Sequence, residues 1–183
     1  MIGVVSSLSF SERVLALSFI VSAISLTGAH LFERVGGLAP CILCLDQREA
    51  HWAALAVAAA GLAASRIFKS SSAAAAAVGA AALVYAVSAG LSFYHTGVEF
   101  KFWPGPAMCA GGGNVGPIDV GSISAALDGP VTAPACDDVQ WTLLGVSMAG
   151  YNLLISSGLF ALTLAAAIAE TRRVKRGRYG ALA

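Results

Sequence analysis

The chain has 183 residues, of which 57% are apolar and only 11% charged, with 20 glycines and a formal net charge of +1. Counting Gly in place of Tyr raises the apolar share to about two-thirds, against roughly 45–50% apolar and about 25% charged in soluble domains. This excludes a disordered chain and a soluble globular domain, the length excludes a large multidomain enzyme, and the small net charge argues against binding nucleic acid through bulk positive charge. What remains is a small integral membrane protein, a single domain over residues 1–183.

A bilayer core of about 30 Å takes roughly 20 helical residues. The first uncharged stretch, Val14–Phe32, is 19 residues long between Arg13 and Glu33 and predicts a span over 14–32. A cleaved signal peptide is the rival reading, opposed by the length of the stretch, by Glu12 beside Arg13, and by the lack of a clear A-x-A site. The second stretch, Ala50–Ser65, has only 16 residues. Its helix must therefore start near Leu45 and run to about 66, which puts Asp46, Arg48 and Glu49 in the first two turns at the membrane surface. Ser70–Val98 is uncharged for 29 residues and predicts a span over 72–94. Val139–Ala169 is uncharged for 31, more than one crossing needs, so its Trp141 end lies outside and the span covers 147–169. The expected fold is all-α, a bundle of four transmembrane helices with two loops, 33–44 and 95–146, on one side.

Orientation follows from Lys and Arg, which collect on cytoplasmic flanks. With four crossings both termini share a side. That side carries eight Lys and Arg against Glu12 and Glu170, a net of +6, while the other carries Arg34, Arg48 and Lys101 against eight acidic residues, a net of −5. Both termini are expected in the cytoplasm. The long loop holds Pro at 104, 106, 117, 130 and 134 and nine glycines, so it should be mostly irregular. Val120, Ile123 and Leu127 fall at helical spacing within it, leaving a short surface helix over Asp119–Asp128 and a plain loop equally open.

All four cysteines fall on the outer side, where an oxidising compartment permits disulfides. Cys41-Ile42-Leu43-Cys44 is a C-x-x-C, a spacing that lets two sulfurs make and break a bond with little chain movement. Structural zinc usually takes two closely spaced ligand pairs, whereas Cys109 and Cys136 are far apart with no His within five residues of either, so no metal is expected. Cys44, at the start of the second helix, is placed to be held as a thiolate by the helix dipole. Arg48 shares its helical face one turn on, suited to a thiolate, a lipid head group or a carbonyl oxygen, or else an interfacial anchor, and His51 continues that face. His95 reaches the same membrane level from the outer end of the third helix. His30 near the outer end of the first helix has no evident partner.

These residues carry a resemblance. Pro40-Cys41-Ile42-Leu43-Cys44 with Gln47-Arg48, Tyr94-His95-Thr96, Trp103-Pro104-Gly105-Pro106-Ala107-Met108-Cys109, and Cys136 with Trp141 and Leu144-Gly145 resemble bacterial DsbB, the disulfide bond formation protein of the inner membrane, over about residues 14–170. The resemblance implies an enzyme, a quinone-dependent protein-disulfide oxidoreductase that reoxidises a periplasmic DsbA-like protein of thioredoxin fold and passes the electrons to ubiquinone or menaquinone. By position it makes Cys41 and Cys44 the quinone-proximal pair, Cys109 and Cys136 the pair that meets the partner, and Arg48 and His95 quinone contacts. Trp103-Pro104-Gly105-Pro106 is expected to hold Cys109 on a stiff, exposed turn, with Cys136 nearer the bilayer. Two other readings are a membrane thiol carrier exporting reductant, which usually keeps its cysteines within the bundle, and a scaffold with two static structural disulfides.

Overall fold

The computed structural model describes residues 8–69, 71–109 and 134–180. Four long helices follow one another: α1 (Phe10–Arg34), α2 (Ile42–Phe68), α3 (Ser71–Glu99) and α4 (Met148–Gly180). Each contains a segment long and apolar enough to cross a membrane. The all-α bundle of four membrane-spanning helices is therefore what the chain forms. Large apolar side chains such as Leu83, 72% exposed, and Leu154, 63% exposed, point outward, as a lipid-facing surface requires.

The helices run beyond the uncharged stretches because their termini are capped and their end charges paired. Ser9 opens α1 with a reciprocal capping box, its hydroxyl accepting from Glu12 N while the Glu12 carboxylate accepts from Ser9 N. Glu12 Oε1 also takes Arg66 Nε at 2.7 Å and Ser65 Oγ at 3.2 Å from the last turns of α2. At the far end of the same pair, Arg48 of α2 donates to Glu33 of α1 and to Ala29 O at 3.1 Å. Acid from α1 meets base from α2 at both ends.

Within a bilayer, packing complementarity and buried hydrogen bonds, rather than apolar transfer, hold helices together. The core is accordingly built of small and medium residues: Val14 and Leu15 of α1, Ala54 and Ala58 of α2, Val78, Ala81 and Tyr85 of α3, and Leu159 and Ala166 of α4. Gly61 of α2 lets α3 approach so closely that a methyl there would meet Ala77 Cβ at 2.4 Å.

Before α4, the segment expected to lie outside folds into a small antiparallel hairpin, β1 (Thr142–Leu143) and β2 (Val146–Ser147), pairing Thr142 with Ser147 and Leu143 with Val146. Leu144 (φ 51°) and Gly145 (φ 78°) form its turn, and positive φ at both central residues matches the right-handed twist of paired strands. Ser147 then caps α4, accepting from Gly150 N at 3.1 Å, and donates to Glu99 at the end of α3. The expected short helix over Asp119–Asp128 lies outside the described residues.

Candidate functional site

Pro40 leads into Cys41, which takes an extended backbone (φ −74°, ψ 170°) and serves as the N-cap of α2. Its sulfur fills the place of a capping oxygen, accepting from Cys44 N at 3.3 Å. One turn on, Cys44 Sγ lies 2.9 Å from Cys41 Sγ, and both thiols are free. The helix start thus favours charge on Cys41 and not, as expected, on Cys44. Donation from the Cys44 thiol, aided by His95 and opposed by burial, holds the Cys41 thiol down to about 5.

Cys109 and Cys136 form a disulfide with their Cα atoms 5.1 Å apart. Cys109 closes a 3-10 turn, Ala107–Cys109, in which its N–H donates to Pro106 O at 2.8 Å, and Cys136 N donates to Cys109 O at 3.2 Å. The stiff turn is present but Cys109 is buried, 4% exposed, where an exposed sulfur was expected. Trp103 accounts for the difference. Its indole N–H donates to Tyr94 O at 2.9 Å, its ring stacks on Tyr94, and Tyr94 OH donates to Pro104 O at 3.0 Å. This folds the Pro-rich segment back onto α3, so that Cys41, Cys109 and Cys136 share one buried cluster with Leu43 and Val98.

His95, 3% exposed, joins the two pairs: its Nε2 lies 3.6 Å from Cys41 Sγ and 3.2 Å from Cys136 O. The sulfurs of Cys41 and Cys44 and a His95 nitrogen fall within 4.8 Å of one another, a set that sequence spacing concealed. Its chemistry disfavours a metal ion. A carbonyl only accepts, so the bond to Cys136 O needs a proton on Nε2, where a metal would need the lone pair.

Beside the cysteines lies a cavity of ≈ 370 Å³ whose lining includes Cys41, Cys44, Arg48, His95, Phe32 and Trp141. Arg48 thus stands on this wall with its guanidinium engaged by Glu33 and Ala29 O. His51, also on the wall, is buried, its Nε2 2.7 Å from Asn152 Oδ1 and its Nδ1 3.0 Å from Ser22 Oγ. His30 lies near Glu33 at 3.8 Å and tilts against Trp52. Sequence reasoning missed Glu33, the clasp on Arg48, and Asn152, whose only signal was an amide inside an otherwise apolar run.

The family model described as disulfide bond formation protein DsbB matches residues 11–166. The chain belongs to the DsbB family. It is accordingly a multi-pass membrane protein of disulfide-bond formation, with the chemistry of a disulfide oxidoreductase. Comparison with curated proteins and with solved structures returns no match.

Proposed function

We propose that this DsbB-family chain reoxidises a periplasmic DsbA-like protein of thioredoxin fold and passes the electrons to a membrane quinone, sustaining disulfide-bond formation. The observation that carries this reading is the packing of a free C-x-x-C pair and a disulfide-bonded pair in one buried cluster beside an apolar cavity.

In the first exchange, a thiolate of the partner attacks Cys109, breaks the Cys109–Cys136 bond and leaves Cys136 as thiolate. Cys136 attacks Cys41 in an oxidised Cys41–Cys44 disulfide and releases Cys44. The second partner thiol then frees Cys109 from the partner, and Cys109 recaptures Cys136, leaving Cys41 and Cys44 reduced. One dithiol is oxidised and one disulfide reduced, so electrons balance. A quinone, ubiquinone or menaquinone, supplies the sink for two electrons and two protons when bound, and the apolar wall with Phe32, Trp141 and Ile155 suits a lipid-soluble ring. Arg48, fixed at that wall by Glu33 and Ala29 O, offers positive charge without reorganising. His95 holds negative charge at Cys41 through Nε2. Membership of the DsbB family favours the bacterial inner membrane, and the charge asymmetry of the flanks favours a periplasmic cysteine end with both termini cytoplasmic.

The test is to reduce the purified protein, add a soluble quinone, and follow free thiols and quinol together. One quinol should form for each two thiols lost. Thiol loss without quinol, or no loss at all, would overturn the reading in favour of a reductant carrier or a scaffold with structural disulfides.

A further inference from the structure

We propose that Gln47 and Asn152 are positioning residues that fix which nitrogen of His95 carries its proton, and so aim an N–H at Cys41 Sγ. The inference deepens the proposed function and rests on Cys41 being a working sulfur of this site.

The polarity follows from one atom. Cys136 O, 3.2 Å from His95 Nε2, accepts only, so Nε2 bears the hydrogen. A neutral imidazole has one donor and one acceptor, so Nδ1 must accept, and the group facing it at 2.7 Å must be the Gln47 NH2. Gln47 is held that way round from its other end, where Oε1 accepts Asn152 Nδ2 at 2.7 Å and Ser92 Oγ at 3.2 Å. Asn152 is fixed in turn, its Oδ1 accepting from His51 Nε2 at 2.7 Å and Ser156 Oγ at 3.3 Å. Ser22 Oγ closes on His51 Nδ1 at 3.0 Å and meets Tyr85 OH at 2.8 Å. The Tyr85 hydroxyl gives its hydrogen to Ser18 O at 3.1 Å, so the row begins at Ser22, and donors and acceptors run in one direction from Ser22 to Cys41, with contributions from all four helices.

Moving the proton of neutral His95 to Nδ1 would require Gln47 to turn over. Its NH2 would then face the NH2 of Asn152, and the row would have to reverse or leave buried polar atoms unpaired. An N–H held in direction by packed neighbours stabilises a thiolate without the reorganisation that a mobile group would need.

The experiment follows alkylation of Cys41 in the reduced protein against pH, site by site by mass spectrometry, each profile normalised to its own plateau so that accessibility cancels. It needs neither quinone nor partner. The titratable and charged groups around Cys41 are Cys44 and Arg48 on α2, Glu33 of α1 through Arg48, His95 and Glu99 on α3, and Asp138 after Cys136. Gln47→Leu should move the Cys41 midpoint up by about one pH unit, the scale of a hydrogen bond to a charged group, and His95→Phe should do the same. The double variant should move it no further than either, and Asn152→Leu should give a smaller upward shift. Gln47→Glu, whose carboxylate accepts from Nδ1–H and keeps His95 doubly protonated, should leave the midpoint at or below that of the unaltered protein. Equal upward shifts in Gln47→Leu and Gln47→Glu, additive shifts in the double variant, or none in Gln47→Leu would overturn the proposal. Independently of any variant's folding, the ¹⁵N spectrum of His95 in the unaltered protein, with Cys109–Cys136 bonded and at a pH where the ring is neutral, should show a protonated Nε2 and a bare Nδ1; the opposite pattern overturns the proposal. A protein that gives these shifts yet fails to reduce quinone would refute the proposed function and leave this row of bonds standing.

Discussion

Gly97 of α3 lies directly against the indole of Trp103: a methyl at position 97 would meet Trp103 Cζ2 at 1.9 Å. No rotation of a rigid indole relieves that overlap while its N–H stays on Tyr94 O. Gly97→Ala should therefore expel Trp103 and loosen the turn that carries Cys109. The expected outcome is faster alkylation of Cys109 after reduction, with transfer between the two cysteine pairs slowed severalfold, while the inner pair still loses its thiols to a soluble quinone. Unchanged Cys109 reactivity would show that the indole does not hold this segment.

The Cys41 thiol, held down to about 5 and so well below the ordinary thiol range, gives a pH dependence of definite sign. A depressed acidity constant means that the folded, reduced protein binds fewer protons at this site than the unfolded chain does. The stabilisation is thus fully present above the unfolded value and is lost as pH falls through about 5. Alkylation of Cys41 should stay near its plateau from neutrality down to about pH 5 and fall below it. The melting temperature of the reduced protein should decline over the same acid range by a component missing from Cys41→Ser.

Arg48 engages its two terminal guanidinium nitrogens with different partners, Glu33 and Ala29 O. Lysine would replace only part of that fork. Arg48→Ala should raise the apparent KM for quinone by about tenfold, the scale of one hydrogen bond to a charged group, and Arg48→Lys by less. Thiol exchange with the partner should be little altered. Quinone kinetics unchanged in Arg48→Ala would make the residue an interfacial anchor.

Trapping tests the order of thiol steps. A Cys136→Ser variant should accumulate a mixed disulfide between the partner and Cys109, and a variant lacking Cys44 and Cys109 should hold a Cys41–Cys136 bridge in non-reducing mass spectrometry. The short path through one buried cluster favours that bridge. A partner found on Cys41 or Cys44 would break the relay.

Single-cysteine variants in spheroplasts test the orientation. A small membrane-impermeant maleimide should label positions 41, 44, 109 and 136, slowly where buried, and should not label a cysteine replacing Lys69 or Arg176. Reaction at either control would overturn the assignment of sides.

The four helices were legible because a chain this apolar has few other ways to satisfy its backbone in lipid. Their ends were less so. Charge alone put the start of α2 near Leu45, whereas the Cys41 sulfur caps it at Ile42, a contact a sequence does not display. The cysteine motifs were readable from the resemblance, but the burial of Cys109 depends on Trp103 folding back over α3, and a Pro-rich segment reads as exposed. Asn152 meets Gln47 across 105 residues of sequence. A lone amide in an apolar run announces a buried polar contact without naming its partner until the helices have packed.

The two clasps between α1 and α2, Glu12 with Arg66 and Glu33 with Arg48, work as a vernier. Sliding one helix past the other by a single turn, about 5.4 Å, would part both at once and strand an acid and a base at each membrane face. Only one antiparallel alignment closes the two together. The first two helices to emerge during synthesis can therefore find their alignment before the third and fourth exist.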